Sequence, residues 1–254
     1  MKKYIPNLFT LLNLFSGCIA VLFATQSNFV AAAFFVFLGI FFDFFDGLLA
    51  RKLNVQSELG IQLDSLADMV TSGLVPGIVM YKLLSKSLNV SEQKIDADWN
   101  SGFDFIGFEL PVLPLVGLFI TLASCYRLAK FNLDEDQQTY FKGLPTPANA
   151  LLILSLPLIL QYPENEFVEQ LISNIWFLLG LTSFSCYILN SDIKLFALKF
   201  KGFGFKENKL KYSFILICIV LLFLLNFLSI PIIVFLYIII SIFDSYVFNE
   251  QSNA

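Results

Sequence analysis

The chain has 254 residues, 57% of them hydrophobic and 14% charged, with a mean hydropathy of +0.75. That much apolar surface excludes a soluble domain of this size and predicts a polytopic membrane protein, read here as a single membrane domain. The formal charge of −4 comes with no basic run that would suggest nucleic acid as a partner. The absence of histidine excludes a histidine base, a Ser-His-Asp triad and an HExxH zinc site.

Lys2, Lys3 and Pro6 precede an apolar run from Leu8 to about Ala24. No convincing small-residue cleavage site follows, so we expect an uncleaved first helix. Hydropathy predicts eight apolar segments, at about 8–24, 29–50, 63–84, 111–131, 147–162, 170–189, 212–229 and 231–248. Only Ser229, Ile230 and Pro231 separate the last two, so they read as a tight hairpin or as one long kinked helix. The break at about 85–110, with Glu92, Asp96, Asp98, Trp99 and Asp104, reads as a polar outer loop, and Gln161 to Glu169 as a solvated turn. Cys18, Cys125, Cys186 and Cys218 lie singly in different apolar segments, as buried thiols do.

Lysine and arginine predict the orientation. With a cytoplasmic N-terminus, Lys2, Lys3, Arg51, Lys52, Arg127, Lys130, Lys142, Lys194, Lys199, Lys201, Lys206, Lys209 and Lys211 fall inside. Only Lys82, Lys86 and Lys94 fall outside. The basic loop from Lys194 to Lys211 would then sit against anionic headgroups.

Four aspartates lie at the edges of these segments, where an ionised carboxylate is costly and marks a functional site. Asp43 and Asp46 share a helix face near the end of the second segment, and Gly60, Asp64 and Asp68 form one stripe at the start of the third. A cytoplasmic turn between the segments brings the two pairs to one depth. Facing carboxylate pairs suit one or two divalent cations, and oxygen-only ligands suit hard ions such as Mg²⁺ or Mn²⁺. Helix capping or a water-filled vestibule is the plainer explanation for any single aspartate.

The spacing Asp43-x2-Asp46-Gly47-x2-Ala50-Arg51-x8-Gly60-x3-Asp64-x3-Asp68 resembles the complete motif of the CDP-alcohol phosphatidyltransferases, with every fixed position present. Pro6 to Thr10, Ser65 to Gly73, Arg127 to Asn132 and Gly143 to Ala148 are similar to the membrane-integral phosphatidylserine synthase branch. The resemblance implies an all-α, polytopic transmembrane bundle: a six-helix catalytic core over 1–190, a cytoplasmic basic loop over 191–211, and a C-terminal hairpin and tail over 212–254. It implies phosphatidyl transfer from CDP-diacylglycerol to L-serine with release of CMP, at the cytoplasmic face of the cell membrane. Membrane lipids surround the protein, and the family carries a homodimer with it.

By the same resemblance Asp43, Asp46, Asp64 and Asp68 hold two metal ions. Asp46, Gly47, Ala50, Arg51, Gly60 and Asp64 line the CDP site, and Asp68 is the general base, binding metal weakly or through water. Arg127 and Lys130, with Asn132 near, offer donors for a substrate carboxylate or phosphate, serine in this reading, or are an ordinary snorkelling helix end. Asn7 and Thr10 touch the nucleotide or merely start the first helix. Thr146 and Asn149 bind or cap at the start of the fifth segment. Glycerol 3-phosphate or an inositol phosphate as acceptor, a cation transporter, and a membrane scaffold without activity are the competing readings.

Overall fold

The computed structural model describes residues 4–89, 112–133, 140–162, 165–196 and 209–252. Lys2, Lys3, Glu92, Lys94, Asp96, Asp98, Trp99, Asp104, Lys199, Lys201 and Lys206 lie outside the described residues, and with them most of the expected outer and basic loops.

Two helices, α1 (Ile5–Thr25) and α2 (Phe29–Lys52), form a closely packed antiparallel pair. Pro6 stands in the first turn of α1, where its missing N–H costs nothing. Ser27, at φ +58°, makes the turn, and the Asn28 side chain caps α2 by accepting from Ala31 N at 3.2 Å. Phe9 packs on Phe42 and Phe45, and Phe23 on Phe35.

The third span is one continuous helical rod over Glu58–Ser87. It comprises α3 (Glu58–Asp68), a π-helical turn (Met69–Leu74) and α4 (Val75–Ser87). Ser57 caps α3 by accepting from Gly60 N at 3.1 Å. The expected segment begins at residue 63, but this cap starts the helix at Glu58. Asp64 and Asp68 therefore stand well inside it rather than at its start.

At the π turn the Thr71 side chain wedges between α1 and α2. A Cβ on Gly17 would collide with its hydroxyl, and one on Gly39 would come within 2.7 Å of its methyl group. Small residues are what permit three membrane helices to meet this closely.

A 3₁₀ turn (Leu113–Leu118) leads into α5 (Phe119–Leu133). α5 runs antiparallel to the third span, with Asn132 on Ser65, Ser124 on Gly73 and Thr121 on Gly77. The Thr121 hydroxyl donates to Gly73 O at 3.1 Å, satisfying a carbonyl of the π turn.

Next come the short strand β1 (Tyr140–Lys142) and α6 (Thr146–Gln161), which is buried along nearly its whole length. An all-round apolar helix belongs at the centre of a bundle. Gly143 between them has φ +73°, and a Cβ there would meet Leu189 O and Ile188 O.

The sixth expected segment, 170–189, is not one rod. α7 (Glu166–Ser173) and α8 (Ile175–Asn190) meet at 70°. Asn165 and Asn174 each cap a new helix, accepting from Phe167 N and Trp176 N, and this splits the segment. Strand β2 (Lys194–Phe196) pairs antiparallel with β1, a three-residue ribbon on an otherwise all-α fold.

The C-terminal helices are α9 (Lys209–Leu225) and α10 (Ser229–Ser252). The rings of Phe214 and Tyr237 lie 5.9 Å apart. In a continuous helix that sequence separation would span about 35 Å. The two helices therefore fold back as a hairpin, turning at Asn226 with φ +43°.

Among the described residues, five helical stretches are long and apolar enough to cross a membrane, with the α9–α10 hairpin counted as one of them, or six if the bent α7–α8 pair is one span. The molecule is an all-α, polytopic, membrane-embedded bundle.

Candidate active site

One end of the bundle gathers the polar residues of α1, α2 and α3. Asp43 and Asp46 project from the last turns of α2, and Asp64 from α3. One carboxylate oxygen of each lies within 4.8 Å of the others. Asp46 is buried and accepts a hydrogen bond from Thr10 Oγ1 at 2.7 Å. Pro6 O is farther from that hydroxyl, at 3.2 Å, so the proton goes to the carboxylate.

Asp68 stands outside the tight group of three and is joined to it through Asn13. Asn13 Nδ2 donates to Asp68 Oδ1 at 3.2 Å and reaches Asp43 Oδ1 at 3.5 Å. Asn13 is fully buried. It is the residue that sequence reasoning missed. Its signal was a carboxamide in the middle of an apolar first helix.

A cleft of about 260 Å³ opens beside the carboxylates. Every residue expected at the CDP site lines it: Asp46, Gly47, Ala50, Arg51, Gly60 and Asp64. Asn7 and Thr10 line it as well. A Cβ on Gly60 would make ordinary contact with Asn7 Oδ1 of α1 at 3.5 Å and press on the Ser57 cap at 3.2 Å. The exposed Arg51 guanidinium lies over Gly47, one turn away on α2.

The donor set fits a divalent cation. Three carboxylates share one small volume, and Asp64 Oδ1 is buried with no hydrogen-bond partner. A hard cation with oxygen ligands removes both the repulsion and the unpaired acceptor.

The residues expected at the acceptor are only partly together. Arg127 is 7% exposed, its Nε has no hydrogen-bond partner, and its charge acts on Asp68. Lys130 is committed elsewhere, paired with Asp192 at 3.2 Å on the exposed surface. Asn132 exchanges hydrogen bonds with Ser65 at 2.9 and 3.2 Å. Arg127 and Lys130 also border a second cleft with Lys142 and Asn190, of only about 10 Å³. That is room for about a single water.

Thr146 and Asn149 are both buried. The residue at the cap of α6 is Pro145, and no side chain caps that helix, so capping is not the role of Asn149.

A family model described as CDP-alcohol phosphatidyltransferase matches residues 3–186. The chain belongs to the CDP-alcohol phosphatidyltransferase family. It is an enzyme, a transferase, and the matched stretch holds every residue of the carboxylate cleft.

The chain is 35% identical to the CDP-diacylglycerol–serine O-phosphatidyltransferase of Bacillus subtilis, over 61% of this chain and 75% of that protein. It is 31% identical to the Helicobacter pylori protein of the same name, over 59% of this chain and 55% of the relative. It is 29% identical to the archaetidylserine synthase of Methanothermobacter thermautotrophicus, over 63% of this chain and 60% of the relative. The aligned part thus spans three quarters of the Bacillus protein and little more than half of the other two.

Proposed function

We propose that this protein transfers the phosphatidyl group of CDP-diacylglycerol to L-serine, giving phosphatidylserine and CMP. The relatives' names support serine as acceptor. The observation that carries it is Arg127, a buried guanidinium with an unpartnered Nε whose charge acts on Asp68. A substrate carboxylate is the partner such a group needs, and a guanidinium fork suits it.

In this reading the CDP moiety lies in the main cleft, with Arg51 on its phosphates and Asn7 and Thr10 toward the nucleotide. The serine hydroxyl attacks the phosphorus that carries the diacylglycerol. A new P–O bond forms, the bond from that phosphorus to the bridging oxygen breaks, and the electron pair leaves with CMP. Asp68 takes the hydroxyl proton. It suits that task because it stands apart from the tight group of three carboxylates. Asp43, Asp46 and Asp64, with Asp68 weakly or through water, would hold two ions of Mg²⁺ or Mn²⁺, which would supply charge neutralisation for the diphosphate. Asn13 fixes the separation of Asp68 from Asp43.

The cations support a cytoplasmic site in the cell membrane. Arg51, Lys52, Arg127, Lys130, Lys142 and Lys194 stand at the aspartate end of their elements, while Lys82 and Lys86 border a cleft with Ser27 and Gln161 at the other. The family resemblance extends the proposal to a homodimer, which cross-linking in membranes tests.

Phosphorylated acceptors should want more arginine near the site, and the chain has only Arg51 and Arg127. A transporter would spread its carboxylates along a path, whereas these cluster at one end.

The test is thin-layer analysis of lipids made by membranes containing the protein, given CDP-diacylglycerol, Mg²⁺ or Mn²⁺, and labelled serine or glycerol 3-phosphate. Labelled phosphatidylserine should form, stop with a chelator and return with metal. Incorporation of glycerol 3-phosphate instead of serine would move the acceptor. Full activity in excess chelator would remove the metals.

A further inference from the structure

We infer that Asn149 recognises the α-amino-acid end of the acceptor, its carboxamide reading the ammonium and the carboxylate together beside Arg127. This rests on the reading of serine as acceptor and deepens it.

Asn149 is 0% exposed, and neither Oδ1 nor Nδ2 has a hydrogen-bond partner. Buried polar side chains are nearly always paired, so a carboxamide with both ends open calls for a partner that binds. It is not alone. Ser72 Oγ on the π turn, Ser124 Oγ and Arg127 Nε on α5, and Ser185 Oγ on α8 are likewise buried without partners.

Packing brings these residues to one region. The antiparallel register of α5 against the third span sets Ser124 on Gly73 and Asn132 on Ser65. Arg127 therefore falls opposite the stretch between Asp68 and Ser72. α6 packs against the same π turn. The start of α6 is tied to the end of α8 by Leu144 N donating to Ile188 O at 2.9 Å. The end of α8 is tied to α5 by Asn190 Nδ2 donating to Ala123 O at 3.1 Å, next to Ser124. α5 and α6 thus both pack on the π turn that follows Asp68, and Asn149, Ser185, Ser124 and Arg127 stand within about two turns of one another in depth.

The chemistry is complementary. An α-amino acid presents an ammonium donor and a carboxylate acceptor on one carbon. A carboxamide presents the reverse, an acceptor in Oδ1 and donors in Nδ2. Asn149 Oδ1 takes the ammonium, Nδ2 shares the carboxylate with Arg127, and the serine hydroxyl is left for Asp68. Glycerol 3-phosphate and inositol phosphates carry no ammonium and leave Oδ1 unpaired.

The test is steady-state kinetics on the full-length protein in detergent with Mn²⁺, for wild type, Asn149→Leu and Asn149→Asp. L-serine, ethanolamine and 3-hydroxypropionate serve as acceptors, and CDP-diacylglycerol is varied separately. Asn149→Leu should raise the KM for L-serine roughly tenfold to a hundredfold, the loss of hydrogen bonds to charged groups, with the KM for CDP-diacylglycerol unchanged. Asn149→Asp keeps an acceptor for the ammonium and loses the donor for the carboxylate. It should keep the preference for serine over 3-hydroxypropionate and lose the preference over ethanolamine. Should Asn149→Leu fail to fold, the near-isosteric Asn149→Asp carries the test by that selectivity alone. An unchanged KM for serine, or an equal rise for both substrates, overturns the inference and leaves Asn149 a packing residue. A wild-type protein that uses another alcohol and not serine overturns the acceptor reading itself, and this inference with it.

Discussion

Asn13 shows how one neutral side chain can organise several charged ones. Its Nδ2 stands between Asp68 and Asp43, and full burial leaves the carboxamide no water to exchange with. The groups that orient metal-ligating carboxylates are commonly worth a factor of ten to a hundred. Asn13→Ala should therefore lower kcat by roughly tenfold to a hundredfold at saturating metal, with the protein still in the membrane. Asp68→Asn removes the proposed base itself and should lower kcat by about a hundredfold to ten-thousandfold, leaving the KM for CDP-diacylglycerol nearly unchanged. The two substitutions are told apart by metal titration. Asn13→Ala should shift the metal dependence because it loosens Asp43, and wild-type kinetics in that variant would discard the positioning role.

At the scale of elements, two local features set where the site's helices begin. The Ser57 cap starts α3 early enough to carry Asp64 and Asp68 inward, and removing a cap of this kind costs about 1 kcal/mol. Gly143 holds the chain between β1 and α6 in the left-handed region, with its missing Cβ directed at Leu189 O and Ile188 O. Alanine there is both strained and crowded by backbone, and such a change costs more than about 1 kcal/mol. Gly143→Ala should lower the thermal midpoint of the detergent-solubilised protein by at least about 2 °C and by more than Ser57→Ala does. Equal midpoints for Gly143→Ala and wild type would contradict the strain. The π turn matters in the same way. It directs Thr71 into the notch between Gly17 and Gly39 and so fixes how α1, α2 and α3 converge on the carboxylates.

For the whole molecule, the two ends of the bundle differ in charge and chemistry. The carboxylate cleft shares its end with Arg51, Lys52, Lys142 and Lys194, and Lys82 and Lys86 stand at the far end of α4. Positive charge is retained on the cytoplasmic side. In a variant lacking the four native cysteines, Ser57→Cys should react with an impermeant thiol reagent only from the cytoplasmic side. Ser27→Cys, at the α1–α2 turn, should react only from the opposite side. Labelling of both from one side would break the proposed topology, and labelling of Ser57→Cys from the outer side alone would move the cleft to the other face.

Several features were legible in the sequence because they are encoded locally. Hydropathy measures whether a segment prefers lipid, and helical periodicity places Asp43 with Asp46, and Gly60 with Asp64 and Asp68, on single faces. Those two rules gathered the aspartates, and the family resemblance carried by the motif implied the residues that line the main cleft before any packing was known. What they could not reach is which faces meet. In a bilayer an apolar face against lipid and one against a neighbouring helix look alike, so sequence carries little signal for helix partners. Only the tertiary structure paired Asn13 with Asp68, tied Lys130 to Asp192 and left Arg127 Nε and Asn149 without partners. It likewise decided between a kinked rod and a hairpin at Asn226, because the ring contact of Phe214 with Tyr237 joins residues far apart in the chain. Local pattern sets the span and the face of each helix, and long-range packing sets which side chains find a partner.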